Sequence, residues 1–532
     1  MSSEESELIQ MAGDGSVKKR NGQCCCVGVC SVLLVIALLV CAATPPLYVE
    51  VIQPYYNQMI DENVLLTNGS VGLSQFVSSK APLYSSYYIF SLSNPDAVKS
   101  GTAKPLLNQV GPFVYKENRT KTNLSWEGGV SGDEVLKFDL LINYTFQPHL
   151  SYGFNPTTTK ITCVNLPLIG VLRELEALDK SKKSVKYLLE LVDLAIEHAM
   201  SGEGLFVTKT VHELLWGYKD NLLSDIKKIQ DDANKLFKKN FTFVTDDTFG
   251  LGKLSSVEAP NRVYTGVSDV LKVGHYIEWN NQTSIAGWGT PTARKIQGTG
   301  GFMFHPGVTR TENLTSFISE LYRSGYFSYR YDSNVYGVTL YNYCLPKEEL
   351  LNTTQDPGFY ANGPSGVLNI TAVAPGHVPL FISKPHFLDA DADYLANVSG
   401  LHPNRAEHES HVGVEPITGE VLDAAKKLQI NLRLTRFSAL PHLSSLRDLT
   451  MLPVYWVAQT GKIPSDLAQQ FSSTVYGAEE EISGGVYGVI GVSGLVALVC
   501  AVCLVGVLVS MFKRSKTQRR GRNIDESSPL LH

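Results

Sequence analysis

Two long uncharged stretches, one near each end of the chain, dominate its hydrophobic pattern. Residues 24–43 and 484–512 contain no charged side chain, and an α-helix needs about 20 apolar residues to cross a bilayer. Basic clusters lie just outside both stretches, at 18–20 and 513–522, so both termini are predicted to be cytosolic. The predicted order is a cytosolic tail (1–23), a transmembrane helix (24–43), a luminal or extracellular domain (44–483), a second transmembrane helix (484–512) and a second cytosolic tail (513–532).

The first stretch could instead be a secretory signal peptide, because Cys41-Ala42-Ala43 resembles a small-residue cleavage site. Its apolar run is longer than the roughly 7–15 residues of a signal-peptide core. We therefore favour an uncleaved membrane anchor.

Between the two stretches the hydrophobic period changes. Apolar and polar positions alternate over 138–146, 428–434 and around 338–340, which predicts strands of an antiparallel sheet with one face toward water. From 166 to 239 apolar residues recur with a helical period. A helical insertion (residues 166–239) within a chain of strands predicts an α+β fold with its helices gathered at one end.

Sequons for N-glycosylation support the same topology. All ten N-x-S/T triplets without an intervening proline lie between the two apolar stretches, as expected for a domain that faces the secretory lumen or the cell exterior. The predicted glycosylation sites are Asn68, Asn118, Asn123, Asn143, Asn240, Asn281, Asn313, Asn352, Asn369 and Asn397.

Seven of the nine cysteines lie in or beside the apolar stretches. Cys163 and Cys344 lie in the luminal domain and could form a disulfide, although a sequence cannot place two cysteines within bonding distance. Cys24, Cys25 and Cys26 follow a basic cluster and are candidate S-palmitoylation sites. The alternative is that these three residues simply complete the apolar helix.

Composition and motifs remove several classes of function. A net charge of −5 over 532 residues offers no general basic excess for nucleic acid. No P-loop, nucleophile elbow or zinc-protease pattern occurs, so we predict no enzyme activity, no cofactor and no metal site. His402, His408 and His411 lie near glutamates, and we interpret them as exposed loop histidines, with a luminal pH sensor as the alternative.

Several segments together resemble the scavenger receptor class B family. They are LYVEVIQPYYNQMI, SNPDAVKSG through NQVGPFVYKEN, LFVTKTVHELLWGYKDNLL, GVLNITAV, SKPHFLDADADYLANVSGLHPNRAEH and EPITGEVLDAAKKLQIN. They follow the family order through nearly the whole chain. Residues 205–223 and the C-terminal tail are most similar to the lysosomal member of the family.

The resemblance implies a β-barrel-like luminal domain, with the helical insertion at its apex and a tunnel that conducts lipid toward the membrane. A tunnel suits this task because an acyl chain crosses water at low cost only inside an apolar environment. The chain departs from the family's disulfide pattern, since Ala293, Tyr322 and Tyr360 stand where vertebrate relatives have cysteines.

Two further groups of residues are candidate recognition sites. Glu526, Leu530 and Leu531, in the tail sequence DESSPLLH, form an acidic dileucine signal for clathrin adaptor complexes. This signal predicts a lysosomal or late endosomal membrane protein, with some of it at the plasma membrane. A lysine run in the helical insertion is either a solvated helix face or, as the family's apical ligand site implies, a contact for anionic lipid headgroups or an acidic partner. It consists of Lys180, Lys182, Lys183 and Lys186.

Three functions are compatible with these features. The leading hypothesis is a receptor that binds membrane lipids, sterols, fatty acids or lipoproteins and passes lipid through the tunnel to the bilayer. The second is a sorting receptor that carries a lysosomal hydrolase at its apex. A two-span channel or an ectoenzyme is disfavoured, because the exterior is not rich in cysteine and catalytic motifs are missing.

Overall fold

A computed structural model describes most of the chain, which divides into two compact units. Several residues singled out in the sequence lie outside the described part of the chain: Cys24 to Cys26, Tyr360, Glu526, Leu530 and Leu531. One unit contains the residues up to Met59 and from Gln470 onward, and the other contains Ile60–Gln469. The described residues are 27–78, 81–128, 134–176, 178–199, 204–352, 357–359, 363–374, 378–437, 440, 443–446 and 450–525.

The terminal unit contains most of two long apolar helices, whose inner ends continue into the large unit. Helix α1 covers Val27–Val64, with a π-helical turn at Tyr48–Ile52, and the C-terminal helix covers Ser465–Asp525. Each is long and apolar enough to cross a membrane, and few of its apolar side chains are buried by protein. A helix that exposes apolar side chains all round suits hydrocarbon rather than water. The Tyr56 hydroxyl donates to the Val475 carbonyl at 3.0 Å.

The large unit alternates strands with short helices. Its strands are β1 Leu83–Leu92, β2 Leu107–Glu127, β3 Val135–Phe146, β4 Lys160–Val164, β5 Phe206–Thr210, β6 Tyr218–Lys219, β7 Thr248–Phe249, β8 Ser255–Tyr264, β9 Tyr276–Glu278, β10 Asn313–Ile318, β11 Arg323–Val335, β12 Val338–Cys344, β13 Val367–Asn369, β14 Leu380–Ser383, β15 His411–Val414, β16 Val421–Leu434 and β17 Thr450–Lys462. The α-helices that follow α1 are α2 Val71–Val77, α3 Pro95–Lys99, α4 Leu166–Glu176, α5 Lys183–Ala199, α6 Val211–Trp216, α7 Asn221–Phe237, α8 Ala392–Ala396, α9 Arg405–His408 and the C-terminal α10.

One antiparallel sheet organises the large unit. Its strands run in the order β10-β11-β12-β15-β16-β17-β1-β2-β3-β8-β9. Gly298 and Thr299 bridge the two end strands: the Tyr276 N–H of β9 donates to Gly298 O at 2.8 Å, and the Phe317 N–H of β10 donates to Thr299 O at 2.8 Å. The sheet is therefore nearly closed, which confirms the barrel-like α+β fold.

The helical insertion packs onto this sheet through its apolar stripe. Leu172 of α4, Leu188 of α5 and Ile226 of α7 are fully buried and belong to one core with residues of β1 and β17. The helices lie where the helical period predicts them, because burial of such a stripe is what stabilises short helices in a protein.

The disulfide that the sequence allowed between Cys163 and Cys344 is not formed. Both thiols are free and buried, and they lie on β4 and β12, which belong to different sheets. Burial raises the pKa of Cys163 to about 12 and that of Cys344 to about 11. These cysteines therefore behave as small core residues.

Aromatic packing occupies the loops around Ala293 and Tyr322, where the family resemblance implied disulfides in other members. Ala293 is 5% exposed within a core cluster. The Trp288 indole donates to the Tyr322 carbonyl at 2.6 Å, and the Arg323 guanidinium lies 3.6 Å from the centre of the Phe359 ring. Packing and hydrogen bonds hold these described loops together without a covalent link.

Candidate functional site

Strand β2 sends a line of charged side chains into the interior of the sheet. Glu117 is buried and Arg119 and Lys121 are half-buried, whereas Asn118 and Thr120 between them are exposed. This alternation follows from the period of two along a strand. The outward positions include the sequon of Asn118, so the inward positions face away from any sugar.

Glu117 is fully paired inside the sheet. It accepts hydrogen bonds from the Ser85 hydroxyl at 2.9 Å, from Arg119 Nε at 2.5 Å and from Gln459 Nε2 at 3.2 Å. Burial costs a carboxylate its hydration, and these three donors compensate for that loss. Strands β1, β2 and β17 are therefore joined by a buried polar cluster.

A second ion pair is formed by residues distant in the sequence. Lys426 Nζ of β16 lies 2.5 Å from Glu320 Oε1, in the turn between β10 and β11, and about a third of each side chain stays accessible. Burial raises the pKa of Glu320, but Lys426 and Arg119 outweigh it and lower this pKa to about 2. Glu320 is thus ionised at neutral and at lysosomal pH.

Tyrosines and a third carboxylate complete the interior. Glu258 accepts a hydrogen bond from the Trp279 indole at 2.9 Å, and burial raises its pKa. Burial, followed by nearby charged groups, also raises the pKa values of Tyr144, Tyr276 and Tyr455. These tyrosines remain neutral and can donate hydrogen bonds. We call the whole set the interior polar ring: Glu117, Arg119, Lys121, Tyr144, Glu258, Tyr276, Glu320, Lys426 and Tyr455.

Most side chains of the interior polar ring lie deep in the protein but are not closely packed. Tyr276, Tyr455 and Glu320 are surrounded by protein, and each keeps accessible surface. Protein cores are normally packed without room for water. Space that admits at least water therefore lies among these side chains.

Lys121 and Arg119 flank an exposed aromatic ring. The centre of the Phe302 ring lies 5.1 Å from Arg119 Cζ and 5.3 Å from Lys121 Nζ, and 38% of the Phe302 surface is accessible. Lys121 Nζ also lies 4.0 Å from the centre of the Phe76 ring and donates to the Phe76 carbonyl at 2.5 Å. Burial and then Arg119 lower the pKa of Lys121 to about 7.

The lysine run lies at the surface of the helical insertion. All four side chains, Lys180, Lys182, Lys183 and Lys186, are exposed, and Lys182 pairs with Asp179 at 3.3 Å. Tyr187 and Leu194, one heptad apart on α5, are 44% and 48% exposed. The lysines are thus separate from the interior polar ring.

The sequon asparagines are described and none is buried. Seven are exposed, and Asn143, Asn352 and Asn369 are half-buried. The side-chain oxygen of Asn369 accepts hydrogen bonds from the N–H and hydroxyl of Thr371 at 3.0 and 2.5 Å.

The histidine region differs from the sequence interpretation. His408 is 3% exposed rather than an exposed loop residue, and its ring stacks on His386 with ring centres 4.4 Å apart. Burial, followed by His408, lowers the pKa of His386 to about 3, and burial lowers that of His408. Both rings favour the neutral form, which suits a packed polar core. Among the described residues no group of three or more His, Cys, Asp or Glu could hold a metal ion.

The alternation of β2 could have revealed part of the site from sequence. A sequon must face outward, so Asn118 and Thr120 place Glu117, Arg119 and Lys121 on the inner face. No such local signal exists for the partners on β8, β16 and the 319–321 turn, because only the closing of the sheet brings them together.

The fold and its interior define a class of protein: an α+β chain whose nearly closed antiparallel sheet has a charged interior and is preceded and followed in the sequence by a long apolar helix. Comparison with known families makes this more specific. The chain belongs to the CD36 family, whose sequence pattern matches residues 30–505.

Individual relatives agree with this assignment. The chain is 31% identical to "Lysosome membrane protein 2" of Mus musculus over 466 residues, which are 85% of this chain and 90% of the relative. The protein of the same name from Homo sapiens is 30% identical, and the match again covers 85% of this chain and 90% of the relative. "Scavenger receptor class B member 1" of Sus scrofa is 28% identical, with 81% of each chain covered. Together with the two apolar helices, these matches support a membrane protein of the scavenger-receptor type.

Proposed function

We propose that this protein binds lipids inside its nearly closed sheet and passes them along a tunnel to the membrane that anchors it. The observation that carries the proposal is the interior polar ring, whose side chains keep accessible surface deep inside the protein. Burying several charged groups is costly, and a ligand site is one setting in which such groups are commonly found.

The composition of the interior suits amphiphiles. Phe302 offers an accessible apolar face, and Tyr144, Tyr276 and Tyr455 combine apolar rings with a hydroxyl that can donate a hydrogen bond. A sterol or an acyl lipid has the matching combination of a large apolar body and one polar end. The relatives named above include a scavenger receptor and a lysosome membrane protein, which supports the same assignment.

Photolabelling tests this proposal. Full-length protein in detergent is incubated with a diazirine fatty acid or a diazirine sterol, irradiated, and digested for mass spectrometry. We expect labels on peptides that carry Tyr144, Tyr276 or Tyr455, and competition by unlabelled lipid. Labels confined to surface peptides such as the one around Tyr152, which is 82% exposed, would contradict it.

A second candidate function is a sorting receptor that carries a lysosomal hydrolase. Exposed Tyr187 and Leu194 lie on the same helix as exposed Lys183 and Lys186, and such a mixed apolar and basic surface suits a protein with an acidic rim. In that case Tyr187→Ala with Leu194→Ala should abolish capture of the hydrolase and leave lipid photolabelling intact. If the lysine run of the helical insertion contacts anionic lipid headgroups, such lipids would also bind at this apex.

The cellular setting belongs to the proposal as well. The proposed receptor lies in the lysosomal or late endosomal membrane, where the dileucine signal of the tail would direct it. Its two termini would lie in the cytosol, and its luminal domain would carry N-glycans. Cys24 to Cys26 would carry palmitoyl groups. A receptor of this kind needs neither an enzyme activity nor a cofactor.

A further inference from the structure

The interior charges of the sheet do not balance pair by pair. Arg119 pairs with Glu117, and Lys426 pairs with Glu320. Among the described residues no carboxylate pairs with Lys121, whose one hydrogen-bond acceptor is the Phe76 carbonyl. An ammonium group can donate three hydrogen bonds, so two donors of Lys121 remain available.

Arg119 adds further donors at the same place. Its Nε donates to Glu117 at 2.5 Å, and within the described part of the chain its two terminal nitrogens have no acceptor. The third carboxylate, Glu258, accepts its hydrogen bond from the Trp279 indole. Two donors of Lys121 and the terminal nitrogens of Arg119 therefore have no acceptor among the described residues.

An apolar surface adjoins these donors. Phe302 lies within 5.3 Å of both cationic groups and keeps 38% of its surface accessible. Phe76 and Phe138 pack edge to face at 5.3 Å behind the Lys121 ammonium. A cationic group lined by aromatic rings is held in position and is poorly hydrated.

We propose that Lys121 and Arg119 bind the singly charged anionic headgroup of an acyl lipid, a carboxylate or a phosphodiester, with its acyl chain starting along Phe302. The inference rests on the proposed lipid-binding function and assigns a headgroup site to it. A singly charged headgroup would pair with Lys121, which has no carboxylate partner among the described residues, and its acyl chain would cover the accessible face of Phe302. Free small anions share the headgroup chemistry but cannot use Phe302.

Binding of matched probes to delipidated full-length protein in detergent tests the site. Oleate carries charge and chain, oleyl alcohol carries the chain alone, and acetate and inorganic phosphate carry charge alone. We expect Lys121→Met to weaken oleate binding about tenfold, as for loss of a charge-assisted hydrogen bond, and to change oleyl alcohol binding less than about twofold. Lys121→Arg should retain oleate affinity.

Lys116 provides the matched control, because it lies on the same strand and is exposed on the outer face. Lys116→Met should bind oleate as the wild type does. Three results would each overturn the headgroup site. The first is an equal loss of affinity for oleate and oleyl alcohol in Lys121→Met, and the second is the same loss of oleate affinity in Lys116→Met. The third is competition by acetate or phosphate that is as strong as competition by oleate. Failure of the wild type to bind either long-chain probe would instead overturn the proposed function.

A measurement on the wild type keeps the inference testable if the variants do not fold. The carboxyl carbon of oleate is labelled with carbon-13, and its NMR chemical shift is followed as the pH is lowered. In bound oleate this chemical shift should remain that of the ionised carboxylate at pH values below roughly 4 to 5, where carboxyl groups ordinarily titrate. A cation pair favours the charged form of a bound carboxylate. Titration of bound oleate within or above that range would overturn the proposal.

Discussion

Lys121 shows what an interior charge costs a protein. Its pKa lies at about 7 rather than near 10.5, because burial and then Arg119 disfavour the ammonium form. The unfolded chain therefore binds this proton more tightly than the folded chain. The penalty is complete below pH 7 and disappears as the pH rises toward 10.5, so it acts fully at lysosomal pH.

Replacing this lysine by an apolar side chain of similar length should stabilise the empty protein. We expect delipidated Lys121→Met to be more stable than the wild type at pH 5 by about 1–3 kcal/mol, with a difference that shrinks between pH 7 and pH 10. Thermal unfolding of the detergent-solubilised protein measures it, and Lys116→Met serves as the control. A lower melting temperature at pH 5 would show that Lys121 stabilises the fold.

The residues of the site divide into those that sequence can and cannot predict. On β2, a glycosylation sequon and the period of two are enough to place three charged side chains inside. Glu320 and Lys426 are 106 positions apart, and neither lies in a pattern that singles it out. Their contact depends on the register of a nearly closed sheet, which no local signal encodes.

At the scale of single elements, helix α7 depends on its N-terminal cap. Asp220 is 1% exposed; its carboxylate accepts from the Leu223 N–H at 2.9 Å and from Asn165 Nδ2 at 3.2 Å. The cap thus ties α7 to the residue that precedes α4. Sequence reasoning finds the helix from its period, but the contact with Asn165 requires the packed insertion.

Loss of this cap should loosen the helical insertion. We expect Asp220→Ala to destabilise the large unit by about 2–3 kcal/mol, because it removes a cap and leaves the Asn165 amide buried without this acceptor. Asp231→Ala, at an exposed position of the same helix, is the control. Limited proteolysis should cut the insertion of Asp220→Ala first, and equal cleavage of both variants would contradict the role of the cap.

For the whole large unit, closure of the sheet depends on Gly298. This glycine has φ +80°, and a Cβ atom there would collide with the backbone of Thr315. Gly298→Ala should therefore cost roughly 2–4 kcal/mol and separate the two end strands. Gly307→Ala is a matched control, since Gly307 has φ +73° with open space around it, and it should cost only about 1 kcal/mol.

Closure should also govern lipid retention if lipid occupies the interior. Native mass spectrometry of Gly298→Ala should show less co-purified lipid than Gly307→Ala at temperatures where both remain folded. Equal lipid content in the two variants would show that lipid retention does not depend on closure of the sheet. It would favour a ligand site on the outside of the sheet.

The destination of the whole molecule should depend on its C-terminal tail. An adaptor that recognises Leu530 and Leu531 buries both side chains, and each buried leucine contributes roughly 1.5–3 kcal/mol. Removal of both should reduce the affinity so far that sorting fails. We expect Leu530→Ala with Leu531→Ala to move the steady-state population to the cell surface, as measured by surface biotinylation, and Glu526→Ala to have a smaller effect in the same direction. His532→Ala changes the neighbouring residue and should leave the distribution unchanged. An unaltered distribution in the double variant would mean that this protein is sorted by another part of the chain, with lipid binding in the luminal domain unaffected.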